Sequence, residues 1–275
     1  IAESVEFSKV MEVVDDFIRG IRAELQARWG AWQIDLTKSY VYEVVGGLVA
    51  RQVTLATQLA TAPQIWNGHV APLILRTMTD GYITLAWIFE DLETRSDQYI
   101  KFGLGQRKLW LEHFKASLAD RGEADLDNNP LVKAATERLN AERFEHLTEV
   151  SIGSWSEQST REMAEQAGCL DLYRLAFTPF SVAVHNMWHH IADYNLERCS
   201  NPLHQFHRVP VDPELEPDID YVYRAAKYVS KTFALFDKKT GLRVEIESSL
   251  DSFVDALTKL GATAPTSVND DDLSS

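Results

Sequence analysis

The sequence predicts an all-α protein, a single helical bundle of about seven or eight helices. Apolar residues recur at spacings of three and four along most of the chain, which is the period of helices that bury one face. No alternating apolar and polar run of useful length indicates a strand. With 13 glycines and 9 prolines in 275 residues, the chain also lacks the turn-rich composition of many β architectures.

Proline and asparagine positions set the expected helix boundaries in the first half of the chain. Pro63 closes the second helix, and Pro72 fits the first turn of the third, where a missing amide costs little. That third helix is apolar nearly all round, which predicts a place at the centre of the bundle. Asn129 followed by Pro130 is typical of a helix start. The predicted helices here cover residues 5–25, 37–61, 69–89, 94–119 and a segment that begins at Pro130.

The second half of the chain alternates helices with one long loop. A capping box at Ser159-Thr160-Arg161-Glu162 predicts a short helix that ends near Gly168. Thr178-Pro179 marks the start of the next helix. Four prolines over 200–217 predict a long ordered loop. The remaining helices are predicted over 180–198, 221–236 and 243–260.

The chain is strongly acidic, with a net charge of −14. This charge argues against bulk binding to nucleic acid or to anionic membranes, and no apolar run reaches the length of a membrane span. A small ligand or a protein partner, a second copy of the chain included, fits it better. The helical domain is expected over 1–261, followed by a disordered acidic tail over 262–275.

Cysteine content and the first residues indicate a cytoplasmic location. The two cysteines, Cys169 and Cys199, are too few for a disulfide framework and suit a reducing compartment. The chain begins with Glu3, Glu6 and Glu12, unlike the basic and then apolar pattern of a signal peptide. We therefore expect a cytoplasmic protein.

Five of the eight histidines lie between 185 and 207. On the helix predicted over 180–198, His185, His189 and Asp193 are four residues apart and share one face. The loop beyond carries a cysteine and two more histidines, and imidazole and thiolate are the ligands that zinc prefers. The candidate metal ligands are His185, His189, Asp193 and Cys199, with His204 and His207 beside them.

A structural role for these histidines ranks above a metal site, because no Cys/His zinc signature is complete. Asn186 stands where the zincin motif carries its glutamate base. The chain also has no Glu-x-x-His pair, dinucleotide loop or Gly-x-Ser-x-Gly elbow. The sequence thus favours no cofactor, and zinc is the ion that the cluster would bind if it binds one.

Arg76 and Asp80 form a second polar group. Their i, i+4 spacing puts them on one face of the apolar third helix, and His69 lies about two turns earlier. A buried arginine–carboxylate pair is costly and persists where it orders a polar site or fixes helix register. A polar binding site and a structural ion pair are both consistent with this pattern.

Two arginine–histidine spacings match, loosely, those of metal-independent helical ribonucleases. Arg107 precedes His113 by six residues, and Arg198 precedes His204 by the same number. In such enzymes arginine holds the phosphate and histidine moves protons. Those families usually carry Asn, Asp or His directly after the arginine, whereas lysine and cysteine stand here. A ribonuclease-like toxin or phage-defence enzyme is therefore an alternative interpretation.

Three segments, HVAPLILRTMTD at 69–80, FGLGQRK at 102–108 and CSNPLHQFH at 199–207, resemble a bacterial family of all-helical proteins. That family is catalogued only as a domain of unknown function, and the resemblance covers roughly residues 40–236. It implies a helical bundle in an intracellular protein. It also implies that Arg76, Asp80, His185 and the Asn-Pro-Leu-His turn belong to one polar site, but it brings no activity.

One shared pocket would satisfy all these polar groups together, since buried polar groups need partners. We expect the helix of Arg76 to pack against that of His185 and His189, with the 199–207 loop folded over both. A binding or scaffold role is slightly favoured over a ribonuclease or a metal-dependent hydrolase, and whether the protein is an enzyme stays open. The candidate catalytic residues are Arg76, Asp80, His185, Arg198 and His204. The candidate ligand-binding residues are His69, Arg76, Asp80, His185, Asn186, His189, Asn201, His204 and His207.

Overall fold

A computed structural model describes residues 2–123, 125–145, 158–204 and 206–261 of the chain. The model is 73% helical, with a single tiny sheet among the described residues, which confirms the all-α prediction. The predicted acidic tail over 262–275 lies outside the described residues. Within the described part, no helix is both long enough and apolar enough to span a membrane.

The helices follow the predicted order, and their number is slightly above the seven or eight expected. The larger helices are α1 (Ala2–Ala31), α2 (Ser39–Ala60), α3 (Ala71–Ile88), α4 (Leu92–Asp120), α5 (Pro130–Glu145), α10 (Asp220–Thr240) and α11 (Ser249–Lys259). The shorter ones are α6 (Thr160–Gln166), α7 (Leu170–Leu172), α8 (Thr178–Val184) and α9 (Trp188–Tyr194). A π-helical turn, Tyr173–Phe177, lies between α7 and α8.

Local capping explains several of these boundaries. Asn129 caps α5 as predicted, because its side-chain oxygen accepts a hydrogen bond from the amide of Leu131 at 3.0 Å. Ser248 caps α11 in the same way, and this cap starts the helix six residues later than the predicted 243. Gly241 ends α10 with a φ of 71°, a left-handed conformation that glycine adopts without steric cost.

The chain divides into two compact units. The first comprises Ile1–Gln33, Gly46–Trp87 and Thr160–Ser275, and the second comprises Ile34–Val45 and Ile88–Ser159. In the second unit, α4 packs on α5 around a small apolar core. In the first unit, α3 has many buried residues, with Leu75, Met78 and Ile83 at 0% exposure, as its apolar surface predicts, although Leu73 is 39% exposed.

Within the first unit, α1, α10 and α11 pack against one another. Arg28 of α1 bonds to Asp237 of α10 at 2.8 Å and to Glu24 at 3.0 Å, which satisfies a nearly buried guanidinium. Gly20 of α1 faces Ser249 of α11 so closely that a β-carbon at residue 20 would collide with its side chain. The glycine therefore lets the two helices approach each other.

The helix predicted over 180–198 is wrong. The chain leaves helical geometry after α8, because Asn186 adopts a φ of 48° and Met187 is extended. Asparagine tolerates this left-handed conformation better than most residues. After α9, strand β1 (Leu196–Arg198) pairs antiparallel with β2 (Arg208–Pro210), so that Arg198 lies opposite Arg208. The first strand of this hairpin therefore takes the end of the predicted helix, and the second lies within the loop predicted over 200–217.

Candidate functional site

Arg76 joins α3 to α8. Its Nε donates a hydrogen bond to Ser181 Oγ at 2.8 Å, and Ser181 in turn donates to the carbonyl oxygen of Phe177 at 2.7 Å. The guanidinium carbon lies 3.0 Å from the centre of the Phe177 ring, a cation–π contact. Nη1 is 3.6 Å from Asp80 Oδ1. Arg76 therefore contacts α8 and the π-helical turn before it, whereas the prediction was packing against a single helix that carries both His185 and His189, and His189 lies in α9.

The electrostatics of this pair reflect its partial burial. The side chain of Arg76 is 19% exposed and that of Asp80 49%. Burial lowers the pKa of Arg76 and raises the pKa of Asp80, and the attraction between the two groups opposes both changes. Arginine remains charged under these conditions. The pair thus carries an ion pair, a hydrogen bond and a ring contact, which together hold two helices.

His185, His189 and Asp193 do not share one helix face, which corrects the prediction. His185 lies just after α8, where its amide caps the last turn, whereas the other two residues belong to α9. All three are exposed. Because Asn186 turns the chain between the two helices, only His189 and Asp193 keep the i, i+4 spacing on one helix, and His185 lies apart from them. Arg76 and His185 both bond to Ser181, the first to its hydroxyl and the second, through its amide, to its carbonyl oxygen; a single pocket shared by their side chains stays a prediction.

The buried histidine of this segment is His190, which the sequence analysis missed. It is 9% exposed, and its ring centre lies 5.6 Å from that of His69 and 4.8 Å from that of Tyr194. His69 and Tyr194 are 5.0 Å apart, and Gly68 has no side chain to obstruct Tyr194. We call His69, His190 and Tyr194 the packed histidine cluster.

Burial is the main influence on the pKa of His190. It lowers the pKa of His190, and the neighbouring His69 and His189 lower it further, while Asp193 opposes the change. Tyr221 hydrogen-bonds to Tyr194, and burial raises its pKa to about 12. The i, i+4 spacing of His190 and Tyr194 is the sequence signal that could have found this cluster.

Cys199, His204 and His207 come together at the tip of the hairpin. Their ligand atoms all lie within 4.8 Å of one another, and Cys199 Sγ is 3.7 Å from His204 Nδ1. The backbone folds the tip back on itself, because the Cys199 amide donates to the carbonyl of His207 at 3.0 Å and the His207 amide to that of His204 at 3.0 Å. We call these three residues the tip cluster.

Asn201 orders the turn within the tip. Its Oδ1 accepts a hydrogen bond from the Leu203 amide at 3.0 Å, so its Nδ2 faces His204 Nε2 at 3.4 Å. The apolar side chains of the tip remain in solvent, with Leu203 89% and Phe206 100% exposed. The prediction that this loop folds over the helices is therefore wrong.

In each of the two arginine–histidine pairs, the arginine and the histidine have different surroundings. Arg107 and His113 are six residues apart on α4, which turns them to different sides of the helix, and Arg107 pairs with Glu142 at 2.6 Å. Arg198 is exposed on β1, while His204 contacts Cys199 and Asn201. In the described residues, neither histidine has a contact with its arginine.

The match to known proteins covers more than half of the chain. Residues 42–201 match the model described as "Family of unknown function (DUF5677)". No curated protein and no solved structure matches the chain significantly.

Proposed function

This chain belongs to a family of unknown function, and on that premise we propose that it acts by binding, with one zinc-class ion held by the tip cluster. The observation that carries the proposal is the convergence of Cys199, His204 and His207, whose ligand atoms lie within 4.8 Å of one another. This convergence supports the binding role that the sequence slightly favours.

One donor–donor distance in the tip cluster, that between Cys199 Sγ and His204 Nδ1, fits a tetrahedral ion. With Zn–S of about 2.3 Å and Zn–N of about 2.05 Å, a tetrahedral angle puts sulfur and nitrogen about 3.6 Å apart. The distance from Cys199 Sγ to His204 Nδ1 is 3.7 Å. Three protein ligands leave the fourth position to a water molecule or to a donor from a partner. One thiolate and two imidazoles are donors that zinc prefers over magnesium or calcium.

The hairpin gives this set a frame. Its two strands pair through a defined register, and Arg208 Nη1 donates to the carbonyl of Ala192 in α9 at 3.2 Å. The Arg208 guanidinium also lies 5.8 Å from the ring centre of Trp188. The ligand residues therefore extend from a hairpin that is tied to a helix at its base, which reduces the ordering that metal binding must supply.

Binding is favoured over hydrolysis by the composition of the cluster. A hydrolytic zinc site needs a general base near the metal-bound water. Within the described residues, the group of converging ligands contains a thiol and two imidazoles but no carboxylate. The donor set supports holding an ion and ordering the loop, which is the role that we assign to it.

The proposal is tested by equilibrium dialysis of the full chain against zinc, followed by cobalt substitution. We expect one ion per chain, and a cobalt spectrum with thiolate-to-metal charge transfer and tetrahedral d–d bands. Cys199→Ser and His204→Ala should each abolish the charge-transfer band or the stoichiometric binding. His189→Ala, an exposed histidine outside the cluster, is the matched control and should bind normally. Absence of stoichiometric binding in the wild type would overturn the proposal.

Incubation with labelled RNA, with and without chelator, separates the proposal from the two enzymatic alternatives. We expect no cleavage in either condition. Chelator-resistant cleavage would support the ribonuclease interpretation, and chelator-sensitive cleavage would make the metal catalytic. Either result would replace the binding role with an activity.

A further inference from the structure

We infer that a pocket lined by α10 and by the segment of the π-helical turn binds a phosphate group. The inference goes beyond the proposed function, because this pocket and the tip cluster have no residue in common. We call it the cationic pocket. Its lining includes three cations of α10 and three apolar residues, which are Arg224, Lys227 and Lys231 with Leu172, Leu175 and Ala176.

The positive charges of the cationic pocket lie along one face of α10. Arg224, Lys227 and Lys231 are three and four residues apart, which turns them to the same side of the helix. Like charges at this spacing repel one another, so an anion that contacts two of them stabilises the arrangement. All three residues are partly buried, whereas Lys238 and Lys239 farther along α10 are exposed. The three cations therefore face the pocket more than open solvent.

The charge of the pocket suits a dianion. Among the described residues that line it, none is acidic. Asp220, one turn earlier on α10, pairs with Arg224 at 2.5 Å. Asp171 is 3.9 Å from Arg174, which is not part of the lining. The three lining cations and Asp220 together carry two positive charges, in a chain whose net charge is −14.

The two lysines have neighbouring side chains that hold them beside the pocket. Nζ of Lys227 lies 5.6 Å from the ring centre of Tyr223, within the range of a cation–π contact. Lys231 lies near Cys169, because burial raises the pKa of that thiol to about 11 and the charge of Lys231 opposes the change. A phosphate group at the pocket adds to these contacts.

The size of the pocket limits what enters it. Its volume is about 20 Å³, which is room for one water-sized group. An oxygen atom of a charged group therefore fits inside, while the rest of the ligand stays at the mouth. Leu175 lines the pocket and is 56% exposed, so an apolar substituent on the ligand has a surface to contact.

The backbone beside the pocket is unusual. Leu175 and Ala176 belong to the π-helical turn over Tyr173–Phe177, a geometry that is rare in proteins and frequent at functional sites. The turn interrupts the run of short helices from α7 to α8. Its position against three cations is the second observation that favours a ligand here.

Phosphate fits these features better than a carboxylate does. A phosphate monoester carries close to two negative charges at neutral pH and three acceptor oxygens, and arginine and lysine are common partners of phosphate in proteins. A carboxylate brings one charge. Free phosphate and a phosphate ester share the chemistry that the cations recognise, and only an ester has a substituent that reaches Leu175.

Equilibrium dialysis of the full chain in EDTA, against inorganic phosphate and separately against phenyl phosphate, tests the inference. EDTA removes any ion from the tip cluster, so that phosphate bound to a metal is not counted. We expect one anion per chain. Lys227→Gln and Lys231→Gln should each weaken binding at least about tenfold, because each removes a charge-assisted contact. Lys238→Gln, at an exposed lysine of the same helix, is the matched control and should bind as the wild type does.

Two further comparisons identify the ligand. Benzoate, which has the same ring and one charge, should bind at least about tenfold more weakly than phenyl phosphate. If Leu175→Ala weakens the binding of phenyl phosphate alone, the ligand is an ester, whereas unchanged binding of both anions identifies free phosphate. Thermal unfolding without phosphate verifies that each variant folds.

Three results would overturn the inference and leave zinc binding by the tip cluster untouched. The first is a wild type that binds neither phosphate nor phenyl phosphate stoichiometrically. The second is benzoate that binds as tightly as phenyl phosphate. The third is an equal loss of affinity in Lys238→Gln, which would show that only the overall charge of the helix matters.

Discussion

The packed histidine cluster and the tip cluster use the same residue type in opposite ways. In the first, His69 and His190 meet edge to face beside Tyr194, and His190 is buried. In the second, His204 and His207 also meet edge to face, with ring centres 5.7 Å apart, but both are exposed beside a cysteine. Ring geometry therefore does not distinguish a structural histidine from a candidate ligand.

The two clusters differ in the burial of their histidines and in how their donor atoms are arranged. His190 is buried, and burial lowers its pKa and keeps the ring neutral as a packing group. At the tip, the donor atoms of three side chains converge on one point that solvent and ions reach. The histidine-rich segment thus divides into a packed part and an exposed part, and the exposed part is the one for which we propose ion binding.

Substituting one histidine in each cluster gives the largest expected effects, because one variant should impair zinc binding and the other should impair stability. His204→Ala should weaken zinc binding by at least about a hundredfold, while the free energy of unfolding in EDTA changes by less than about 0.5 kcal/mol. His190→Ala should lower that free energy by about 2–3 kcal/mol, because it opens a cavity beside two rings, and should leave zinc affinity unchanged. Denaturant titration and zinc competition measure both. The comparison fails if one variant impairs both properties.

A substitution at Asn201 should change zinc affinity by a smaller amount and in the opposite direction, as an increase. An ion on Nδ1 of His204 puts the ring proton on Nε2, which then faces the donor Nδ2 of Asn201. Asn201→Asp replaces that donor with an acceptor and keeps an oxygen for the Leu203 amide. We expect zinc affinity to rise about tenfold, since a carboxylate behind a ligating histidine strengthens it. Asn195→Asp, with the same charge change beside the hairpin, is the control, and an equal rise there would refute the explanation.

The smallest expected effect is a pH dependence of stability. The pKa of His190 is lower in the folded than in the unfolded protein, so between those two values the unfolded state binds more protons and stability falls as the pH decreases. His189, Asp193, His69 and Tyr194 surround it. His190→Gln should flatten the stability profile from about pH 7.5 to about pH 5, measured by denaturation in EDTA. His189→Gln should not, and an unchanged slope in His190→Gln would exclude His190 as the source.

Local sequence patterns predicted the structure correctly where the local conformational preference agrees with the tertiary packing. The apolar surface of α3 predicted its burial, and Asn129 predicted the start of α5, because a capping side chain needs only its own next residues. The spacing of Arg76 and Asp80 was also correct as an ion pair on one face of α3. The contact of Arg76 with Ser181 joins residues 105 positions apart, and no local pattern contains it.

The sequence by itself determined that this chain is helical, where most helices begin and end, and that residues 185–207 are rich in possible ligands. Only the tertiary structure decided that His190 rather than His189 is buried. The helical and left-handed conformations of Asn186 differ by only about 1–2 kcal/mol, so local propensity does not fix the break after α8. The packing of Tyr194 over Gly68 and of His190 against His69 outweighs that difference and turns α9 away from the line of α8. This turn separates His185 from the face of α9 that carries His189 and Asp193, and the chain beyond it brings Cys199, His204 and His207 together at the tip.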